Sequence, residues 1–482
     1  MRASAFFVNR GIKMTKKIHD LLDSYQAEMI ENLQKLIRIK SVVGESSENA
    51  PFGENIQKSL EFILTLGKEK GFECINFDNY ACEINLGQAA ESIGAVLHLD
   101  VVPEGSGWTH DPYGGELADG KIFGRGAVDD KGPLIAVFYA CCAIKESGLP
   151  LTKKIKQIIG TNEEGGVFPC IRYYKEQGEV PGAGIVPDSW FPAVFAEKGI
   201  LDFEYTKQFD KVEGIEKVGL RLQDLNGGEA LNVVAPEARA TFISDEAGKK
   251  LLRQTLERQK DSHRFSLSEQ GDSITVTVRG KSAHASTPEI GVNAIGLLLT
   301  MMKDLPFHPA DLQRTIHHLA EKLGNDHDGT GLGINSSDHT GELTNNIGLM
   351  SYKDGNLMLR MNIRSPITVD PEELKNKLDR EARSMGMECR IMNYNPHFYM
   401  PADDPLILML TRVYRSFTGD MESKSRTNGS GSYARILNNF VPFGPSFQDE
   451  ELCFHKQDEF ISCERLLLLS KIYAEALYQL AK

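Results

Sequence analysis

Cysteine is sparse and unpatterned: eight residues, at 74, 82, 141, 142, 170, 389, 453 and 463, in a chain of 482, with no Cys-x-x-Cys pair. That excludes a disulfide scaffold and a thiolate zinc site, and it fits reduced, buried thiols in a cytoplasmic protein. No apolar run approaches the ~20 residues of a membrane-spanning helix. The short apolar patch in MRASAFFVNRGIK lacks the length and the small-residue cleavage pattern of a secretory signal. Residues 1–13 are therefore read as a disordered extension or the trace of an upstream start codon, with the ordered protein beginning near Met14. Positive charge is also in deficit, with 54 Lys and Arg against 67 Asp and Glu for a formal net charge of −13. Nucleic acid and anionic membrane both need a basic face, so neither is expected as a partner. Low-complexity segments and sequence repeats are absent.

What is present is ordinary globular material, 41% hydrophobic and 25% charged, in a chain too long for one growing core, so two or three domains are expected. Apolar residues recur at helical spacing over Ile18–Ile39 and Ile56–Lys70. Short β-rich runs then alternate with helices: Ala95–Leu99, Gly132–Glu146, Ile155–Ile159. This predicts an α/β domain with a mostly parallel sheet flanked by helices. From about 200 to 395 the strands alternate on one face only, Ile274, Val276 and Val278 against Ser273, Thr275 and Thr277, and Leu357, Leu359, Met361 and Ile363 against Met358, Arg360, Asn362 and Arg364. Half-exposed antiparallel sheet fits that pattern, with helices near Asn293–Lys303 and at Asp370–Met385, the latter capped by Asp370 with Pro371 at its first position. The helix Ile461–Leu480 closes the chain. Residues 14–200 and 396–482 are thus expected to form one discontinuous catalytic domain, and 201–395 an inserted α+β domain with an antiparallel sheet.

Five turns carry candidate chemistry. In Gly94-Ala-Val-Leu-His98-Leu-Asp100 a strand ends with an imidazole and a carboxylate two residues apart, hence on one face; alone, such a pair is more often a hydrogen-bonded core feature. Gly124-Arg-Gly-Ala-Val-Asp129-Asp130-Lys-Gly-Pro133 is a glycine-rich turn entering a helix. It lacks the Lys-Ser/Thr ending of a phosphate loop, and its two carboxylates would repel a phosphate, so a cation is the better guest. Thr161-Asn-Glu163-Glu164-Gly-Gly166 sets adjacent carboxylates beyond a strand, where one can ligate a metal while the other serves as a base. Asp188 follows another short run, and His455 lies in Cys453-Phe-His455-Lys-Gln-Asp-Glu459. Each has a structural reading at even odds or better. The joint placement of the first four at the carboxyl ends of strands, where open α/β sheets bind ligands, favours a cation site. Imidazole and oxygen donors suit zinc, and also manganese or cobalt.

The motifs HLDVVPEG, GRGAVDDKGP, GTNEEGG, PDSWFP with EKG, GKSAHASTPEIGVNA and GSGSYAR resemble those of metallopeptidase family twenty, which includes aminoacylase, glutamate carboxypeptidase and carnosinase. The chain is similar in particular to its dipeptidase V-like branch. The resemblance spans nearly the whole chain from about Met14. It implies two zinc ions, one on His98 and Asp188, the other on Glu164 and His455, with Asp129 bridging; Asp100 orienting His98; Glu163 as general base; and a cis peptide after Asp129. It further implies that the inserted domain is an enlarged lid. There Asn232 reaches the active site, His284 stabilises the oxyanion, and Arg364, together with the Gly429-Ser430-Gly431 loop, binds the carboxylate of a small peptide substrate, a dipeptide of Xaa-Xaa or β-Ala-Xaa type. Asn162, Ser430 and Pro445-Ser-Phe-Gln-Asp-Glu450 depart from the usual pattern. A monomer is expected, with a dimer left open. The competing functions are an N-acyl-amino-acid deacylase or desuccinylase with the same catalytic residues, and a non-catalytic metal-dependent binding protein.

Overall fold

The structure is a computed structural model that describes residues 2–210, 219–448, 450 and 453–482, with side chains from Lys16 onward. It divides into two compact units, one of Met1–Ala196, Phe398–Arg426 and Gly431–Lys482, the other of Glu197–His397 and Thr427–Ser430. The extension expected over residues 1–13 lies outside the described side chains.

In the first unit a six-stranded sheet runs in the order Glu73–Phe77, Ala81–Leu86, Lys154–Gly160, Ser92–His98, Gly184–Val186, Phe440–Pro442. The last four strands are mutually parallel, and the first two form an antiparallel edge. The parallel strands are apolar along nearly their whole length because both faces are covered. On one side lies the helix Lys131–Ser147, buried around almost its entire circumference. It is packed between the sheet, the long helix Arg2–Ile37 and the final helix Cys463–Ala481. A helix hydrophobic all round is what such a central position requires. The Arg2–Ile37 helix presents Ile18, Leu22, Met29, Leu33 and Leu36 to this core. Its last carbonyls, Leu36 and Ile39 just beyond it, accept from the buried Lys131 ammonium at 3.1 and 2.8 Å, a cation placed at the negative end of the helix dipole.

The second unit is built on a nine-stranded sheet whose main path is antiparallel throughout. Ile274, Val276 and Val278 point into its core, as do Leu357, Leu359, Met361 and Ile363, in the expected alternation. The opposite face differs from the expectation towards the end of Asn356–Ser365, where Asn362 and Arg364 are buried instead of half-exposed. Asn362 donates to Asp202 at 2.5 Å and accepts from Arg364 at 2.8 Å, so this face is sealed by a polar network. The helix Pro371–Ser384 begins as the sequence predicts, with Asp370 accepting from the N–H groups of Glu372 and Glu373.

Candidate metal centre

Three acidic or His-bearing turns lie at carboxyl ends of the parallel strands. Ser92–His98 ends on His98, Lys154–Gly160 leads within four residues to Glu163 and Glu164, and Gly184–Val186 leads to Asp188. Asp129 departs from that pattern. It follows the strand Lys121–Phe123, which belongs to a separate small sheet, and stands at the start of the Lys131–Ser147 helix. The resulting constellation has two groups whose ligand atoms lie within 4.8 Å of one another: His98, Glu163 and Asp188, and Asp129, Glu164 and His455. Asp129 touches both, with Oδ1 3.0 Å from His98 Nε2 and Oδ2 3.0 Å from His455 Nε2. His455 Nε2 also lies 3.1 Å from Glu164 Oε1. All five expected ligands and Glu163 are therefore gathered in one unit, and Glu163 groups with His98 and Asp188.

The backbone beneath these groups is held by buried polar contacts. His98 Nδ1 lies 2.9 Å from the main-chain oxygen of Asp100 and 3.5 Å from its carboxylate, which leaves Nε2 directed at Asp129. The fully buried Asp100 carboxylate accepts instead from the N–H of Glu163, 2.9 Å from each oxygen, and from that of Glu164 at 2.9 Å. It thus pins the turn that carries both glutamates. The peptide between Asp129 and Asp130 is cis, as the family resemblance implies. Asp130 accepts from the His98 N–H at 3.1 Å. Tyr433 stands edge-on to the His98 ring, centroids 6.5 Å apart, with its hydroxyl 3.0 Å from Cys170 Sγ. Gly160 makes room for it: a Cβ there would sit 2.2 Å from the Tyr433 oxygen.

So many carboxylates in one place perturb each other. Burial, then the negative charge of Asp188, raise the Glu163 carboxyl well above its usual range. Burial and Asp129 raise Glu164. Burial disfavours the His455 imidazolium, yet Glu164 and Asp129 outweigh it and push the ring up to about 11. His98 likewise lies well above its usual value, its contacts with Asp100 and Asp129 overcoming burial. Glu163 Oε1 is buried without a hydrogen-bond partner among the described residues. A buried acceptor of this kind and a surplus of negative charge both fit a positive ion.

In the second unit the expected substrate residues gather locally. Asn232 accepts through its carbonyl from Ala285 N–H at 2.9 Å. His284 is exposed, with Nδ1 2.7 Å from Ser286 Oγ. Gly429 closes on Ser286 so tightly that a Cβ would lie 2.3 Å from the serine Cβ, and its carbonyl accepts from Arg364 Nη1 at 3.1 Å. Ser430 N–H donates to Asn428 Oδ1 at 3.1 Å. Gly431 lies in the first unit beside Arg435, whose Nε would be 2.4 Å from a Cβ at that position.

Sequence reasoning left Arg125, Asp458, Glu459 and Tyr433 without a role. Glu459 is fully buried and pairs with Arg125 at 2.7 Å. The signal for that pair is a lone arginine inside a glycine-rich turn, matched by a carboxylate more than three hundred residues away, and it is too weak to read without the fold. The eight cysteines are all free, and no helix among the described residues is long and apolar enough to cross a membrane.

Over residues 96–479 the chain matches Peptidase family M20/M25/M40. It is 35% identical over 461 residues to a protein of Bacillus subtilis (strain 168) named "Putative dipeptidase YtjP", covering 94% of this chain and 97% of the relative. To SH1171 of Staphylococcus haemolyticus (strain JCSC1435), which carries the same description, it is 31% identical over 477 residues, covering 95% and 98%. Among solved structures it is similar to human carnosine dipeptidase 1, with a TM-score of 0.57, 14% identity, and coverage of 97% and 98%. It is also similar to the dipeptidase Dug1p from Saccharomyces cerevisiae, with a TM-score of 0.57, 13% identity, and coverage of 96% and 98%. The structural likeness shows a shared fold, and the sequence match over most of the chain shows kinship: this chain belongs to Peptidase family M20/M25/M40 and is a metallopeptidase.

Proposed function

We propose that the chain is a dinuclear dipeptidase in which His98 and Asp188 serve one divalent ion, Glu164 and His455 the other, and Asp129 both, while Glu163 is the general base. The observation that carries this reading is the Asp129 carboxylate, whose two oxygens each stand 3.0 Å from a different imidazole. A carboxylate so placed is suited to bridge two ions. The donor set of imidazole nitrogens and carboxylate oxygens, without a thiolate, favours zinc and would accept manganese or cobalt. When bound, such ions polarise a carbonyl and lower the pKa of water to about 7.

The rest of the chemistry falls to the chain's own residues. Glu163 takes the proton of the attacking water and returns it to the leaving amine, a task that a carboxyl with a raised pKa performs better than an ordinary one. Asp100 fixes the Glu163–Glu164 turn, and its carbonyl keeps His98 Nε2 free for ligation. Among the residues of the second unit, the guanidinium of Arg364 is assigned to the substrate carboxylate, for which its planar fork is suited. Asn232 and the Gly429, Ser430 and Gly431 backbone are assigned to the same substrate, and His284 to the developing oxyanion. Dipeptides are favoured over N-acyl amino acids because the curated relatives that match along almost their whole length carry dipeptidase names.

The test is hydrolysis of a dipeptide panel and an N-acyl-amino-acid panel, each with and without chelator. Chelator-sensitive cleavage of dipeptides is expected. Cleavage of acyl amino acids alone would overturn the substrate assignment, and chelator-insensitive cleavage would overturn the metal assignment.

A further inference from the structure

His455 sits in a turn whose shape is costly. Both His455 and Asp458 adopt left-handed backbone conformations, with φ of 59° and 53°. Such residues are uncommon outside glycine and persist where the surroundings over-determine them. The surroundings here are two acidic side chains at the end of the same turn. Asp458 accepts from the N–H groups of Thr109 and His110 at 2.8 and 3.1 Å and from the Thr109 hydroxyl at 2.9 Å. Glu459 reaches the opposite way. Its Oε2 takes Arg125 Nη1 at 2.7 Å, while Oε1 takes the N–H groups of Val128 and Asp129 at 2.9 and 3.3 Å. Its own carbonyl accepts from the Gly124 N–H at 2.8 Å. Arg125 is in turn fixed by the carbonyls of Pro103 and Glu104, at 3.4 and 3.3 Å, and lies over the Trp108 ring at 5.2 Å.

One carboxylate therefore joins the turn that carries His455 to the turn that carries Asp129. The link is short: His455 is four residues before Glu459, and the Asp129 N–H is hydrogen-bonded to the Glu459 carboxylate at 3.3 Å. Burying an ion pair is not by itself a strong source of stability, because desolvation offsets the attraction. The pair's geometry, by contrast, sets where two ligands stand, and groups of this kind behind a metal ligand commonly govern affinity.

We propose that Glu459 is a positioning residue that makes Asp129 and His455 one metal-binding unit, with Arg125 holding its carboxylate in register. The proposal rests on the dinuclear reading above. Glu459→Gln leaves a single acceptor oxygen to serve Arg125 on one side and the Val128 and Asp129 N–H groups on the other. Because that variant also strands a buried guanidinium, the double variant Arg125→Met/Glu459→Leu serves beside it, removing both charges together.

The experiment is calorimetric titration of Co2+ into chelator-stripped full-length protein, with circular dichroism of each metal-free variant as the check on folding. In both variants the equivalent held by Glu164, His455 and Asp129 is expected to bind at least about tenfold more weakly, and the other, which shares only Asp129 with it, to weaken by a clearly smaller factor. If Glu459→Gln does not fold, the double variant decides. Wild-type affinity for both equivalents in a folded variant would overturn the proposal, and so would equal weakening of both, which is the signature of a merely structural role. Uptake of fewer than two equivalents by the wild type would overturn the dinuclear reading itself, and this inference with it.

Discussion

Asp100→Asn tests how the two glutamates are held. In the structure the Asp100 carboxylate is fully buried and serves two main-chain N–H groups, that of Glu163 at 2.9 Å from both oxygens and that of Glu164 at 2.9 Å from Oδ2. An asparagine amide with its oxygen in the Oδ2 position turns its NH2 group towards the Glu163 N–H, so the contact at Oδ1 is lost and the two at Oδ2 lose their charge. Hydrogen bonds to a charged acceptor contribute about 1.5–3 kcal/mol and neutral ones about 1. The turn should thus lose about 2–4 kcal/mol of local stability. At about 1.4 kcal/mol per tenfold, amide hydrogen exchange in peptides covering Glu163 and Glu164 should quicken by about 30-fold or more. Displacement of these carboxylates by about 1 Å should also lower kcat by about 100-fold. Exchange by mass spectrometry and steady-state kinetics measure the two effects. Exchange and kcat both within about twofold of wild type, in a protein with an unchanged melting curve, would refute the account of the turn.

Two further perturbations address the second unit. Burial raises the Glu204 carboxyl, but hydrogen bonds from Arg360 at 2.7 Å and Arg390 at 2.9 Å outweigh it and hold the group below its usual range. The unfolded chain then binds this proton first as pH falls, so the contribution is whole above the ordinary glutamate pKa of about 4.3 and is lost as pH drops through the lower folded value. Melting curves at about pH 6 and about pH 4 should show a smaller drop for Glu204→Gln than for wild type; equal drops would remove Glu204 from the account. Gly429→Ala brings a Cβ to 2.3 Å from that of Ser286 and must shift the carbonyl that Arg364 donates to. KM for dipeptides should rise about tenfold or more through loss of a charge-assisted contact, and an unchanged KM would count against the role assigned to Arg364.

How much of this was legible beforehand depends on the range of the interactions. The Asp370 cap and the Pro371 start are local, and the sequence shows them directly. The alternation of Ile274, Val276 and Val278 reports which way side chains face, because the pleat imposes it. The same alternation in Asn356–Ser365 does not report what covers Asn362 and Arg364, since that cover comes from Asp202 and Gly429, far away in the chain. His98, Glu164 and Asp188 could be read as strand-end residues. The sequence groups Asp129 with them, yet in the fold it precedes a helix beyond a small separate sheet, which spacing alone does not reveal. The paired carboxylates of its glycine-rich turn point to a cation, and only the family resemblance makes it the ligand shared by two ions. Glu459 is the extreme case: its partners lie more than three hundred residues upstream, and in the sequence it is one of several charges after His455.

The central claim separates two adjacent glutamates, Glu163 as base and Glu164 as ligand, and Glu163→Gln tests it most directly. Metal content by atomic spectroscopy and kcat on one dipeptide would be measured on the same preparation. The account predicts metal content equal to wild type with kcat lowered by about 100- to 10,000-fold, the contribution usual for a general base. Wild-type turnover at unchanged metal content would contradict it.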